Sequence, residues 1–160
     1  MDHQVADYNV LVGAQGWKHA HWHRHFYPDD LPEDWELSFY NSQFRCVYLS
    51  KSAWRGRSIA DAELWLKDTH SNFRFIFERP DGVTQQTSAI LKAMAGRAFV
   101  DDANDIGREL LWFPPEPDLR VLGRRIEETV RQGNTLYLLN REAHLPSLER
   151  VRSLVEVMGY

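Results

Sequence analysis

A chain of 160 residues is long enough for one ordinary domain with a full core, and shorter than the roughly 250 residues of a closed eightfold (βα) barrel. Its apolar and charged fractions, 43% and 26%, are those of a folded globular protein and argue against whole-chain disorder. A net charge of −4, spread along the chain, lacks the generic basic footprint of a nucleic-acid binder.

Cys46 is the one cysteine, so an internal disulfide is excluded and a reducing, cytoplasmic setting is expected. No apolar run approaches the roughly 18 residues of a membrane span, and the polar start Met1-Asp2-His3-Gln4 does not read as a signal peptide.

Short apolar runs alternate with longer amphipathic ones. Val10-Leu11-Val12-Gly13 reads as a buried strand, followed by a loop rich in His and Trp. Pro32 to Phe44 reads as a helix, capped by Asp30, with Pro32 in its first turn and Trp35, Phe39 and Phe44 near one face. Cys46 to Leu49 is a second strand. Ser58-Ile59-Ala60-Asp61 resembles a capping box opening a helix whose apolar face is Ile59, Ala62, Trp65 and Leu66. Phe73 to Phe77 is a third strand, and a helix from about Gln86 to Met94 turns Ile90, Leu91 and Met94 inward, with Gly96 near its end. Leu110 to Phe113 is a fourth strand, stopped by Pro114-Pro115. Asp118 caps a helix with Leu119, Leu122, Ile126 and Val130 on one face and Gly133 after it. Leu136 to Leu139 is the fifth strand, and Leu148, Val151, Val155 and Met158 form the stripe of a last helix closed by Gly159. The expectation is one α/β domain over residues 1–160, a (βα) repeat resembling a partial TIM barrel with about five mostly parallel strands.

The first loop carries Gly16-Trp17, a second tryptophan at Trp22, Phe26-Tyr27-Pro28, and Leu31-Pro32 with Trp35. Trp65, Phe73-Arg74-Phe75, Ile106-Gly107 and Leu110-Leu111-Trp112-Phe113-Pro114-Pro115 follow in order. This succession resembles the YecE-like family (domain of unknown function seventy-two) over nearly the whole chain. The resemblance implies a (βα)-barrel plan and a pocket at the carboxyl ends of the strands, with no biochemical activity to carry over. The polar positions depart from the family pattern. A Glu-x-Asn-Ser-x-Phe-Tyr run is replaced by Tyr48 to Trp54, a Lys-x-Pro by Glu78-Arg79-Pro80, and a Thr-His by Thr84-Gln85. A Gln before Phe-Pro-Pro becomes Trp112, and a Glu-x-Arg becomes Leu139-Asn140-Arg141, keeping the Arg alone. Asn134 to Gly159 reads either as the fifth βα unit or as the family's final one; the second reading requires an internal deletion. By either count the chain is truncated relative to a full barrel.

The strand ends supply the candidate pocket: Trp17, His19, Ser50, Trp54, Glu78 and Arg141. Ser50, Lys51 and Ser52 pair nucleophiles with an amine, but on a regular strand Lys51 points away from both serines. Glu78 offers a proton-transfer group or a rim ion pair, and Arg141 an anion-binding guanidinium or a structural partner for Glu142 or Glu78. Trp17, Trp22, Tyr27, Trp54 and Trp112 fit either a stacking cleft or core packing. His19, His21, His23 and His25 alternate, so an extended segment would turn all four to one side, where neutral imidazoles suit a divalent metal such as zinc, nickel or copper.

Two function classes stand. One is a noncatalytic or degenerate ligand-binding or interaction domain, forming a homodimer that joins two half-barrels. The other is a (βα)-barrel enzyme, metal-assisted or not, acting on a phosphorylated or sugar-like small molecule. Convergence of His19, Ser50, Glu78 and Arg141 on one cleft separates them.

Overall fold

The computed structural model describes residues 7–160. Six strands alternate with helices: β1 (Val10–Gln15), β2 (Cys46–Leu49), β3 (Arg74–Phe77), β4 (Ala98–Val100), β5 (Arg108–Trp112) and β6 (Thr135–Asn140). The helices are α1 (Glu36–Gln43), α2 (Lys51–Trp54), α3 (Ile59–Lys67), α4 (Gln85–Ala93), α5 (Leu119–Arg131) and α6 (Leu145–Val157). All strand pairs are parallel, in the order β4-β3-β2-β1-β6-β5.

The helix starts follow local chemistry. Ser58 and Asp61 exchange both capping-box hydrogen bonds at α3, and Thr84 and Thr87 do the same at α4. Asp118 accepts from the Arg120 and Val121 amides at α5. The segment 32–44 is less regular than its sequence suggests. A 3-10 turn, Glu33–Trp35, precedes α1; Pro32 rather than Asp30 stands at its start; and Trp35 is exposed instead of packed.

Side chains alternate between two faces, and both are buried. Val10, Val12, Ala14, Val47, Leu49, Phe75, Phe77, Leu136 and Leu138 face the helices and pack on Ile90, Leu122, Ile126, Leu148, Val151 and Val155. Leu11, Cys46, Tyr48, Ile76, Phe99, Tyr137 and Leu139 form a second, inner cluster. Phe99 of β4 lies 5.2 Å from Tyr137 of β6, ring to ring, and the Arg108 guanidinium of β5 lies 4.1 Å from the Phe99 ring. In a flat sheet β4 and β6 would stand four spacings apart, roughly 19 Å. The sheet therefore curls around its inner cluster as a partial barrel.

The expected count of five strands is short by one. Ala98–Val100 escapes a sequence reading because three residues, one of them alanine, are below the length at which a strand signal is legible. Its place decides the register of the last segment. β6 pairs with β1 as well as β5, the position that the final strand of a closed barrel holds. The missing barrel places thus lie between β4 and β5. There residues 101–107 connect two parallel strands without a helix, where a dozen or more residues are usual.

Inside the barrel, β1 and β2 approach closely at Gly13. A Cβ built there would stand 2.0 Å from the Cys46 carbonyl oxygen, so no side chain fits. Tyr40 of α1 bridges the two strands at this level. Its hydroxyl accepts from the Ala14 amide at 2.8 Å and donates to the Cys46 carbonyl at 2.6 Å.

Candidate functional site

The carboxyl ends of the strands carry two adjoining groups of side chains. The first fills the mouth of the barrel. Gln15, Tyr48 and Trp112 continue the inward phase of β1, β2 and β5, and Glu78, Asp101 and Arg141 follow β3, β4 and β6 in the same phase. Arg141 donates to Gln15 Oε1 at 3.2 Å and stacks 4.0 Å above the Trp112 ring. Trp112 meets Tyr48 edge-on at 4.8 Å, and the Tyr48 hydroxyl donates to Asp101 Oδ2 at 3.2 Å. Burial pushes the Tyr48 phenol above its ordinary range, with the Asp101 and Glu78 charges adding to the rise and Arg141 opposing it. Glu78 accepts from the Lys51 amide at 2.9 Å, and Arg79 pairs with Asp102 at 3.0 Å. Arg141, Trp112 and Tyr48 thus form one stack at the barrel mouth.

The second group is a cleft of about 240 Å³ beside the mouth, over the ends of β1 and β2. Trp17 and Trp65 meet edge-on in its wall at 5.6 Å, with Gln15, His19, Ser50 and Arg57 around them. The Tyr27 hydroxyl donates to the Trp17 carbonyl, which ties the first loop down at this point. His19 bonds through Nε2 to the Gly16 carbonyl at 3.1 Å. Burial holds its pKa below the ordinary histidine value, and neighbouring His21 lowers it further. Lys18, at the rim, is paired with Glu33 at 2.8 Å.

The predicted pocket residues divide between these groups. Trp17, His19 and Ser50 line the cleft, whereas Glu78 and Arg141 belong to the mouth, which Gln15 joins to the cleft. Trp54 lies in neither. It is fully buried in α2, stacked 4.5 Å from Phe77, with Nε1 donating to the Glu78 carbonyl. The expectation of a strand end at Ser50–Ser52 is corrected as well, because α2 begins at Lys51. Ser50 and Ser52 bond to each other at 3.1 Å, and the Lys51 ammonium pairs with Asp81 at 3.0 Å instead of reaching either hydroxyl. Arg141 forms neither expected ion pair; its contacts are Gln15 and the Trp112 ring.

The histidine loop is not extended. A 3-10 turn at Ala20–Trp22 breaks the alternation, because Trp22 turns inward to stack on Tyr40 and donate to the Ala143 carbonyl. His19 and His21 come within 5.5 Å, ring to ring, and His21 Nε2 bonds to the same Ala143 carbonyl. His23 and His25 are exposed. Among the described residues no three His, Cys, Asp or Glu side chains are grouped to hold a metal.

Gln15, Tyr48, Arg57, Trp65 and Asp101 were not among the sequence candidates. Period-two alternation from Leu11 and Cys46 carries the signal for Gln15 and Tyr48. Arg57 and Trp65 reach the cleft by helix packing, which leaves no local mark.

The sequence model of the family described as "Protein of unknown function DUF72" matches residues 11–114. No curated protein matches the chain. Among solved structures, a DUF72 family protein of Enterococcus faecalis V583 superposes with a TM-score of 0.61 at 9% identity, covering 92% of this chain and 95% of that one. A DUF72 family protein of Thermotoga maritima MSB8 gives a TM-score of 0.45 at 19% identity, with this chain spanning 63% of its length. The first likeness concerns the fold. The chain belongs to the DUF72, or YecE-like, family, whose function is unknown.

Proposed function

We propose that the chain is a small-molecule-binding domain whose ligand enters the cleft at the ends of β1 and β2. The observation that carries this reading is the pairing of two tryptophan rings, Trp17 and Trp65, with the Arg57 guanidinium in one cleft of about 240 Å³. An apolar wall with a few convergent polar groups is the usual build of a ligand site. The ligand class it fits is a small flat apolar group bearing a carboxylate or phosphate: the rings bury the body and Arg57 faces the anion. No nucleophile and base share a hydrogen bond in the cleft, since Ser50 bonds to Ser52 and His19 to Gly16, which favours binding over catalysis. Titration of aromatic carboxylates and phosphates, followed by tryptophan emission, tests the reading. Saturable quenching is expected, weakened roughly tenfold by Arg57→Gln and by Trp17→Leu, in line with the usual worth of a charged hydrogen bond or a stacked ring. Quenching that is unchanged in both variants would sink it.

A homodimer is proposed with it, formed along the outer edge of β5. That strand has a neighbour on one side alone, and Ile106, just before it, is 95% exposed. A reducing cytoplasmic setting fits the single buried thiol, Cys46; no helix among the described residues is long and apolar enough to cross a membrane.

A further inference from the structure

The opposite end of the barrel holds a second cavity, of about 250 Å³, at the amino ends of β3 to β6. Barrel interiors are ordinarily filled there by layers of large side chains. Here Gly96 and Thr135 leave the layer open, next to the gap between β4 and β5. The space equals roughly eight waters at liquid density.

Its polar groups are mostly donors. Asn72 and Tyr137 are 8% and 4% exposed, and neither side chain has a hydrogen-bond partner among the described residues. No buried side-chain polar atom there is sealed off without a partner, so both groups open onto the cavity. Burial raises the Tyr137 phenol to about 12, which keeps it a donor at neutral pH. Arg74, Arg108 and the Asp7 carboxylate also line it. Arg74 spends Nη2 on Asp7 and Nη1 on the Ser71 and Phe73 carbonyls, whereas Arg108 gives Nη1 to Asp105 and keeps Nε and Nη2 uncommitted among the described residues. The donors left to the cavity are Arg108 Nε and Nη2, the Asn72 amide and the Tyr137 phenol.

We propose that this cavity binds a small oxyanion, the phosphate or carboxylate group of an ion or short metabolite, through Arg108, Asn72 and Tyr137. Planar guanidinium forks suit such groups, and the neutral amide and phenol supply the remaining donors. The site is separate from the cleft at the strand ends and stands or falls independently of it.

Calorimetric titration of the full chain with inorganic phosphate, glycerol phosphate and acetate, in a non-anionic buffer at low salt, tests the proposal. Saturable one-to-one binding of at least one probe is expected, with amide NMR shifts at Leu11, Phe99 and Thr135. Tighter binding of glycerol phosphate than of inorganic phosphate identifies a phosphorylated metabolite, equal binding the free ion, and acetate alone a carboxylate. Tyr137→Phe, which keeps the ring and its packing, and Arg108→Lys, which keeps the charge, should each weaken binding roughly tenfold. Arg57→Gln at the other end should leave it unchanged. Absence of saturation with all three probes, or equal affinity in Tyr137→Phe and Arg108→Lys, overturns the proposal.

Discussion

At the scale of single residues, His19 shows how a position in the fold sets chemistry. Its ring is half-enclosed at the edge of the cleft, and the loss of solvation lowers its pKa more than the Gly16 carbonyl raises it. The sign for stability follows. Between the folded value and 6.5, the unfolded chain takes up a proton that the folded imidazole refuses. The stability linked to His19 is therefore complete above pH 6.5 and is lost as the pH falls through the window below it. Urea midpoints measured over that range should decline less steeply for His19→Gln, which keeps a donor for the Gly16 carbonyl. Parallel curves for the two proteins would remove the assignment. The same residue shows what sequence spacing misses. Four alternating histidines suggest a metal comb, but the demand of Trp22 for a buried site turns the backbone and separates them.

At the scale of elements, the junction of α1 with β1 and β2 depends on one hydroxyl. Tyr40 is fully buried, and its oxygen stands between the Ala14 amide and the Cys46 carbonyl in place of a direct bond between the strands. Tyr40→Phe would orphan both backbone groups while keeping the ring. Each unpaired buried group costs about 1–3 kcal/mol, so a loss of roughly 2–6 kcal/mol is expected, read from denaturant midpoints with the slope unchanged. A loss below about 0.5 kcal/mol, the level of an ordinary surface change, would show that the bridge is dispensable. The capping boxes of α3 and α4 stand at the other extreme, since their bonds lie within four residues and were readable for Ser58 and Asp61 from spacing alone.

At the scale of the whole molecule, the gap between β4 and β5 governs what the protein can do. Phe99, Tyr137 and Arg108 meet across it and close part of the interior within one copy. What remains unpaired is the outer edge of β5, like that of β4 at the other end of the sheet. Light scattering on the eluting protein should report twice 18.8 kDa at micromolar concentration if that edge is the interface. A lysine at Ile106, exposed just before β5, should return the protein to the monomer mass. A monomer in the parent chain would leave the edge to solvent.

Much of the architecture was legible in the residues because it is local. Hydrophobic period, caps and proline stops placed five of the strands and most helices within a few positions, and the aromatic and proline signatures identified the family. Of the site, Trp17, His19, Ser50, Glu78 and Arg141 were legible because each directly follows a strand in a repeat that puts its sites there. The tertiary structure alone decided the rest. It showed that β6 returns to β1, that Trp54 is buried, that Arg141 seats on Trp112, and that Arg57 and Trp65 enclose a cleft with Trp17. These relations join residues far apart in the chain, and what fixes them is how the sheet curls around Phe99, Tyr137 and Gly13. Curl depends on which side chains fill or vacate the interior together, a property of the packed set that no single segment encodes.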